Sequence, residues 1–504
     1  MTGAELTVRS AGRSPSPTTR PDRRKRSRTC RLLPRCKLSA TTRQAFRTPT
    51  RAPPPYPRGS AGATGGGRHD DGGGQQTLGD VMSAITTSYG LGRESQKPEY
   101  EREWLTLVGR KRVLVIVHTV PYGKRLQEVF SLLESDFRVQ VMFTAPPHEF
   151  SDGVAQLLRR LGTVQLAWRE AVRMEFDLVL AAGPRGVEEI RGPLITLPHG
   201  ANYLKRVGPS GKQWVAGLSR QDIVPDGRAL PAAVVLPHED DAGELARHCP
   251  AALPVAVVAG DPAHDRMAIS LPERDAYRRA LGIGARERLI GVVSTWGPHS
   301  SFGSFETLLP RLLTELNDDS VRVAILVHPN VWSGHGAWQV RAWLAQCRTR
   351  GIAVVPPEAD WRAVLIAADG IIGDHGSVTL YGTLTHAPIL LAASPEREIN
   401  PASPAAALAL TAPTLSPGHG LLEQLDYAAA EYRRQDYAAI AARITSEPGR
   451  FSRNMRRLLY RVLGLGQPAF PALTRRLPLP SALRTWVARD DGDAWHAGES
   501  EVPA

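Results

Sequence analysis

The sequence holds only four cysteines in 504 residues, and they are scattered: Cys30, Cys36, Cys249 and Cys347. None falls in a Cys-x-x-Cys pair or a Cys/His ligand spacing. This excludes a disulfide framework and a zinc site, no metal site is expected, and a reducing cytoplasm is the expected compartment. No apolar run approaches the roughly 18 residues of a membrane helix. The Arg-rich start also lacks the apolar stretch of a secretory signal. Glycine-rich nucleotide fingerprints are missing too, since no strand–helix junction carries Gly-x-Gly-x-x-Gly. GPSGKQ at 208–213 departs from a phosphate-binding P-loop, because Arg206 stands where its first glycine would be and Gln213 replaces Ser/Thr. Neither a Gly-x-Ser-x-Gly elbow nor His-Glu-x-x-His occurs. PHEDD at 237–241 reads as a charged loop before a helix rather than as a ligand set.

Positive charge is abundant, but it is concentrated. Residues 1–81 hold sixteen Lys/Arg against five Asp/Glu, so eleven of the twelve net positive charges lie there and the remaining chain is nearly neutral. A nucleic-acid-binding protein more often carries its basic patch on the folded domain, so no nucleic-acid partner is expected. Residues 1–81 are rich in Arg, Pro, Ser, Thr and Gly, and too little apolar surface is present to offset ordering entropy. A disordered basic tail is expected there: an arm for anionic surfaces or a transit peptide. The alternative is an over-long reading frame with its start at Met82.

From Arg112 the pattern becomes regular. Short apolar segments at 112–120, 137–145, 163–168, 176–182 and 193–198 alternate with helical spacing at 126–135 and 152–161. After a Pro- and Asp-rich connection the alternation restarts with the strand-like 253–262. It continues through 288–295, 321–329, 352–357, 370–377 and 387–393, with helices between them. Such alternation predicts an α/β protein with parallel sheets covered on both faces. Two consecutive halves predict two Rossmann-like domains facing across a cleft, with ligands at the carboxyl ends of the strands.

Four of those strand ends carry a histidine: His118, His199, His328 and His375. Imidazole titrates near neutrality and suits proton transfer or, when protonated, phosphate binding. At Asp374-His375-Gly376-Ser377 a strand passes into a helix through small residues, which admits an anion to free N–H groups at the helix start; Ser377 would alternatively be a simple N-cap. A Gly/Ser-rich loop at 294–304 offers a second place for a diphosphate.

Together these motifs resemble the CDP-glycerol glycerophosphotransferases and related teichoic-acid polymerases, which have the GT-B fold. The likeness runs over roughly 112–400. It consists of His199-Gly200 followed by Lys205 and Gly208, Gly260-Asp261-Pro262 with Asp265, Thr295-Trp296, His328-Pro329, and Asp374 through Ser377. Departures from the family pattern are Ala201-Asn202 after His-Gly, Gly297 in place of an arginine, Gly376 in place of a serine, and Tyr381 in place of an acid.

The resemblance implies a transferase without cofactor that moves a glycerol-phosphate-like or other polyol-phosphate group from a CDP-activated donor to a hydroxyl acceptor, lipid-linked or polymeric. His199 would take the acceptor's proton and His328 would bind or protonate the pyrophosphate as CMP leaves. Lys205 or Arg206, with Gly200, would serve the acceptor or donor charge. Asp374, Gly376, Ser377 and Thr295 would hold donor phosphate, and His118 and His375 are lesser candidates. The expected divisions are the tail 1–81, an acceptor domain 82–250, a donor domain 251–415, helices over 416–470 and a tail over 471–504. The basic segment 450–465 either lies on an anionic membrane at the inner face of the plasma membrane or packs across the domain junction. A nucleotide-sugar glycosyltransferase or epimerase-like enzyme, and a non-catalytic nucleotide or anion binder, are the competing readings.

Overall fold

The computed structural model describes residues 107–487 except 202, 209–212, 317 and 319. The basic segment 1–81 therefore lies outside the described residues. Nine strands belong to the first half: β1 (Lys111–Ile116), β2 (Val139–Thr144), β3 (Gln165–Leu166), β4 (Leu178–Ala181), β5 (Leu194–Thr196), β6 (Arg206–Val207), β7 (Trp214–Val215), β8 (Ala233–Leu236) and β9 (Ala256–Val258). Seven of them form a parallel sheet ordered β3-β2-β1-β4-β5-β8-β9, while β6 and β7 pair as a small antiparallel ribbon. The second half contributes β10 (Arg288–Ser294), β11 (Val321–Val327), β12 (Ala353–Val355), β13 (Gly370–Gly373) and β14 (Ile389–Leu391), in a parallel sheet ordered β12-β11-β10-β13-β14. This is the two-lobed α/β architecture expected of a GT-B protein.

The strands are apolar throughout because both faces are covered. In β1, Val113 and Val115 face a core shared with Leu126, Leu158 and the C-terminal helix, while Leu114 and Ile116 face Phe176 and Val187 on the other side. The side-chain period of two assigns alternate residues to the two layers. All four are fully buried.

Two expectations are corrected, and for the basic segment 450–465 packing against the protein is the reading that holds. The segment at 253–262 does not open the second sheet: Val234, Val235 and Leu236 of β8 pair in parallel with Ala256, Val257 and Val258, so β9 closes the first sheet. The crossover falls instead at Gly260-Asp261, where Asp261 Oδ1 accepts from the His264 N–H and caps the helix Pro262–Ser270. The segment up to Val487 is no tail. Leu477, Leu483 and Trp486 are buried in the second lobe's core, and Tyr277 Oη donates to the Leu477 carbonyl. The helix Phe451–Leu463 also does not offer its leucines to a membrane, because Phe451, Met455, Leu458, Leu459, Tyr460 and Leu463 pack into the first lobe's core.

That return of the chain to the first lobe depends on one buried carboxylate. Asp265, 1% exposed, accepts from the N–H groups of Gly449 and Phe451 at 2.7 and 3.0 Å, at the start of the returning helix. Asp265→Ala leaves both donors unsatisfied and is expected to cost about 1–3 kcal/mol, read as a lower denaturant midpoint.

Candidate functional site

The site is built on the helix Val120–Phe130, which has Pro121 in its first turn and Thr119 as its cap. Three of its side chains reach the second lobe. Lys124 Nζ donates to the carbonyls of Pro357 and Ala359, each at 2.8 Å. Glu128 accepts from Arg266 and Arg362, each at 2.8 Å. Arg125, buried between the lobes, donates to the His199 and Gly200 carbonyls (3.4 and 2.8 Å), to Asp261 Oδ2 (3.1 Å) and to Tyr381 Oη (3.0 Å). Tyr381 Oη in turn donates to Asp261 Oδ2 at 2.7 Å. Burial drives the Tyr381 phenol well above its ordinary pKa, so it remains a donor. This explains a departure from the family pattern: an acid at 381 would set a second carboxylate against Asp261.

Arg125 thereby fixes the turn that carries the leading histidine. His199 sits in a position open to solvent, with its ring stacked on Tyr122 at 4.7 Å between centroids and 26° between planes. Desolvation by the protein that surrounds the cleft, then Arg125 and Lys205, lowers its pKa to about 4. Gly200 follows at a close approach of the lobes, where a Cβ would stand 2.4 Å from Ser377 Oγ. A methyl group there requires the Ser377 hydroxyl to turn away.

The second lobe supplies His328 at the end of β11. Its Nδ1 accepts from the Asn330 N–H at 3.0 Å. The neutral ring therefore carries its proton on Nε2 and presents a donor. Burial, then His199 and Lys205, hold its pKa down at about 3. The influence of His199 on His328 means that the two imidazoles, from different lobes, share one electrostatic environment. Lys205 Nζ donates to Thr295 Oγ1 at 2.7 Å and stands 5.8 Å over the Trp296 ring. Among the described residues Lys205 has no carboxylate partner, and burial lowers its pKa.

The other expected residues have different positions. Asp374 is fully buried and spends its oxygens on the N–H groups of Thr295 (2.9 Å), Ser301 (2.9 Å) and Gly376 (3.0 Å). It shapes the loop around 295–301 and is no phosphate ligand. The Gly376 N–H is likewise taken, so in this loop Ser377 offers the hydroxyl that faces Gly200. A Cβ at Gly376 would lie 2.9 Å from Thr295 Cβ, and Gly297 has a positive φ of +103°; these two departures follow from the tight path of the two loops. Arg206 lies in the β6–β7 ribbon, where the alternation of a strand turns it away from the side taken by Lys205. His118 lies behind the cleft: its Nε2 donates to the Arg185 carbonyl at 2.9 Å and its ring meets the edge of Tyr122. His375 is 4% exposed and is set 3.2 Å from Glu398, which also pairs with His299.

Sequence reasoning missed Arg125, Tyr122 and the role of Tyr381. Lys124-Arg125 reads as a solvated pair at a helix start, and the partners that bury Arg125 lie far along the chain. A cavity of about 560 Å³ opens elsewhere between the lobes, lined by Tyr203, Glu244, Arg247, Asn400 and Arg443 among others; neither His199 nor His328 lines it. Its arginines pair with its own acids, Arg247 with Glu244 and Arg443 with Asp240. His199 and His328, one from each lobe, lie close enough to influence each other and form the candidate cleft.

No family model and no curated protein matches the chain. Solved structures do. The fold is similar to that of the wall teichoic acid polymerase TagF in a histidine-to-alanine variant, at 13% identity over 71% of this chain and 90% of that one, with a TM-score of 0.51. A histidine-to-asparagine variant of TagF soaked with CDPG has the same identity and coverage and a TM-score of 0.50. A glycosyltransferase from Rickettsia africae ESF-5 shows 11% identity over 70% of this chain and 98% of that one, with a TM-score of 0.40. The fold thus shared with TagF is that of the family the motifs resemble.

Arg125→Met leaves Asp261 buried without its cation, and a loss of about 3–5 kcal/mol in unfolding free energy is expected. Gly200→Ala should disturb the meeting of the lobes, and Ser377→Gly in the same chain should restore its melting temperature. Protonation of His118 is opposed by burial, which pushes its pKa down to about 4. Below an unfolded value near 6.5 the unfolded chain takes a proton that the folded chain refuses, so stability falls as pH drops from about 6.5 to 4. His118→Gln should flatten that limb by on the order of 3 kcal/mol, measured by unfolding at stepped pH.

Proposed function

We propose that the protein is a transferase that moves a glycerol-phosphate-like, or other polyol-phosphate, group from a CDP-activated donor to a hydroxyl acceptor in cell-envelope polymer synthesis. The observation that carries the reading is the convergence of His199-Gly200 from one lobe with Ser377 and His328 from the other, beside Lys205, which among the described residues has no carboxylate partner. TagF, whose fold is similar, is a wall teichoic acid polymerase, and one of its structures was soaked with CDPG.

In this mechanism the acceptor oxygen attacks the donor's β-phosphorus and the bond to the CMP oxygen breaks. His199, neutral because its cleft and cationic neighbours depress its pKa, takes the acceptor's proton. The two negative charges of a diphosphate beside Lys205 offset that depression and strengthen His199 as a base when the donor is bound. His328 donates from Nε2 to the leaving phosphate, and Lys205 and the Ser377 hydroxyl offset charge on the transferred group. Phosphoryl transfer relies on such positioning and charge stabilisation. The donor loops also support a second reading, a nucleotide-sugar glycosyltransferase, since Gly297 and Gly376 remove two side chains of the family pattern.

Release of CMP from CDP-glycerol, followed with and without a lipid-linked hydroxyl acceptor and with UDP- and GDP-sugars in parallel, separates these readings. Turnover of the cytidine donor is expected, with His199→Ala reducing kcat by about 10²–10⁴-fold and Lys205→Met by about 10²–10³-fold, both variants remaining folded. Turnover of a UDP-sugar alone would favour the glycosyltransferase; no turnover with any donor would favour a binding protein.

A further inference from the structure

A cavity of about 560 Å³ lies at the junction of the lobes, and neither His199 nor His328 lines it. Its volume falls within the roughly 300–1,000 Å³ of small-molecule sites. One wall is Tyr203 and the segment His238 to Arg247 of the first lobe; the other is Asn400 to Pro404 with Arg443. Most polar groups of these walls are spent on holding them together. Asn400 Nδ2 donates to the Tyr203 carbonyl and to Glu244 Oε2, at 2.9 and 2.8 Å, and its Oδ1 accepts from the Ala402 N–H at 3.2 Å. Arg247 pairs with Glu244, and Arg443 donates to the Ala402 carbonyl at 2.8 Å. The cavity is therefore a built space rather than a gap left by loose packing.

Four groups along it are unspent. Tyr203 is 5% exposed, yet its hydroxyl has no hydrogen-bond partner among the described residues. Burial, then Asp241 and Cys249, raises its pKa, so the phenol stays a donor. His238 Nδ1 accepts from the Asp240 N–H at 3.0 Å. The neutral ring thus keeps a second donor on Nε2, which also has no hydrogen-bond partner among the described residues. On the acceptor side, the Glu239 carboxylate pairs with nothing among the described residues, and Asp240 has only long contacts, 3.6 Å to His238 and 3.9 Å to Arg443. Polar groups set deep in a wall are normally matched, so the unmatched phenol calls for a partner that enters the cavity.

The chemistry of the four selects the partner. A phosphate would be set against the carboxylates of Glu239 and Asp240, and an ammonium group would meet two hydrogen-bond donors and two guanidiniums. An uncharged hydroxyl suits both kinds at once, because it donates to a carboxylate and accepts from Tyr203 or His238. We propose that this cavity is a second binding site, for an uncharged polyhydroxylated ligand, a sugar ring or an open-chain polyol. The site goes beyond the proposed transfer chemistry, and filling it requires no turnover. The ligand rests against Tyr203, two residues before Lys205.

Saturation-transfer difference NMR on the full chain tests this with methyl β-glucopyranoside, ribitol, glycerol 3-phosphate and putrescine as probes. Saturation should pass to the glucoside, to ribitol or to both, which tells a ring from an open chain. Tyr203→Phe removes only the unmatched hydroxyl, so its melting temperature should equal the parent's while the dissociation constant of the uncharged probe rises about fivefold. Glu239→Gln/Asp240→Asn, which exchanges both carboxylates for amides of the same size, should weaken binding further. Glycerol 3-phosphate held in the cleft of His199 would be indifferent to Tyr203→Phe. The proposal is overturned if neither uncharged probe binds, or if its signal is the same in Tyr203→Phe, which would place it elsewhere. It is also overturned if the anion or the diamine is the probe that Tyr203→Phe weakens. A lower melting temperature in Tyr203→Phe would show the hydroxyl already spent on the fold, and this too contradicts it. None of these readings involves donor turnover, so the proposed transferase can fail while the site stands, and the reverse.

Discussion

The arrangement of this protein depends on one buried guanidinium. Arg125 joins the first lobe's helix to the His199-Gly200 turn, to Asp261 at the crossover between the lobes, and to Tyr381 in the second lobe. Burying a charge is costly unless it is fully paired and hydrogen-bonded, and here the pairing requires all of these elements at once. The lobes consequently meet in one way, with Lys124 and Glu128 adding fixed contacts one turn along the same helix. Their meeting brings the histidine ends of β5 and β11 together.

The electrostatics of the cleft follow from that constraint. Arg125, paired with Asp261, and Lys205, which has no carboxylate within ion-pair distance among the described residues, both lower the His199 pKa, while Asp374 is held by N–H donors in the loops. A cleft of this kind rejects protons from its imidazoles and attracts anions. Tyr122 supports His199 by stacking, and His118 supports Tyr122 from behind. The layer beneath the cleft is therefore aromatic and neutral, and the layer facing it is cationic.

Much of the fold was legible because its strands are continuous apolar runs between helical spacings, and the histidines at the ends of β5 and β11 could be placed before any contact was known. What failed was what depends on distant partners. The helix at 120 was expected to begin only at 126, because Pro121 and Gly123 look like loop residues. Pro121 in fact occupies the first turn, where its missing N–H costs nothing, and Gly123 allows close packing against Leu157. The strand β9 was assigned to the wrong half because apolar runs do not say which sheet they join. Asp374 looked like a ligand because it borders a phosphate-type turn, whereas its oxygens are consumed by amides 73 to 79 residues away in sequence. The same limit hid Arg125, whose carboxylate and phenol partners lie 136 and 256 residues away.

Arg125 and Lys205 stand beside a His199 whose pKa is lowered, and an anionic donor bound there would offset their effect. The most direct measurement is an NMR titration of the His199 imidazole in protein labelled at histidine, assigned with His199→Gln, with and without CDP-glycerol. A pKa depressed to about 4 in the free protein is expected, with a clear upward shift when the donor is bound. A value near the ordinary 6.5 that does not move on adding the donor would contradict it.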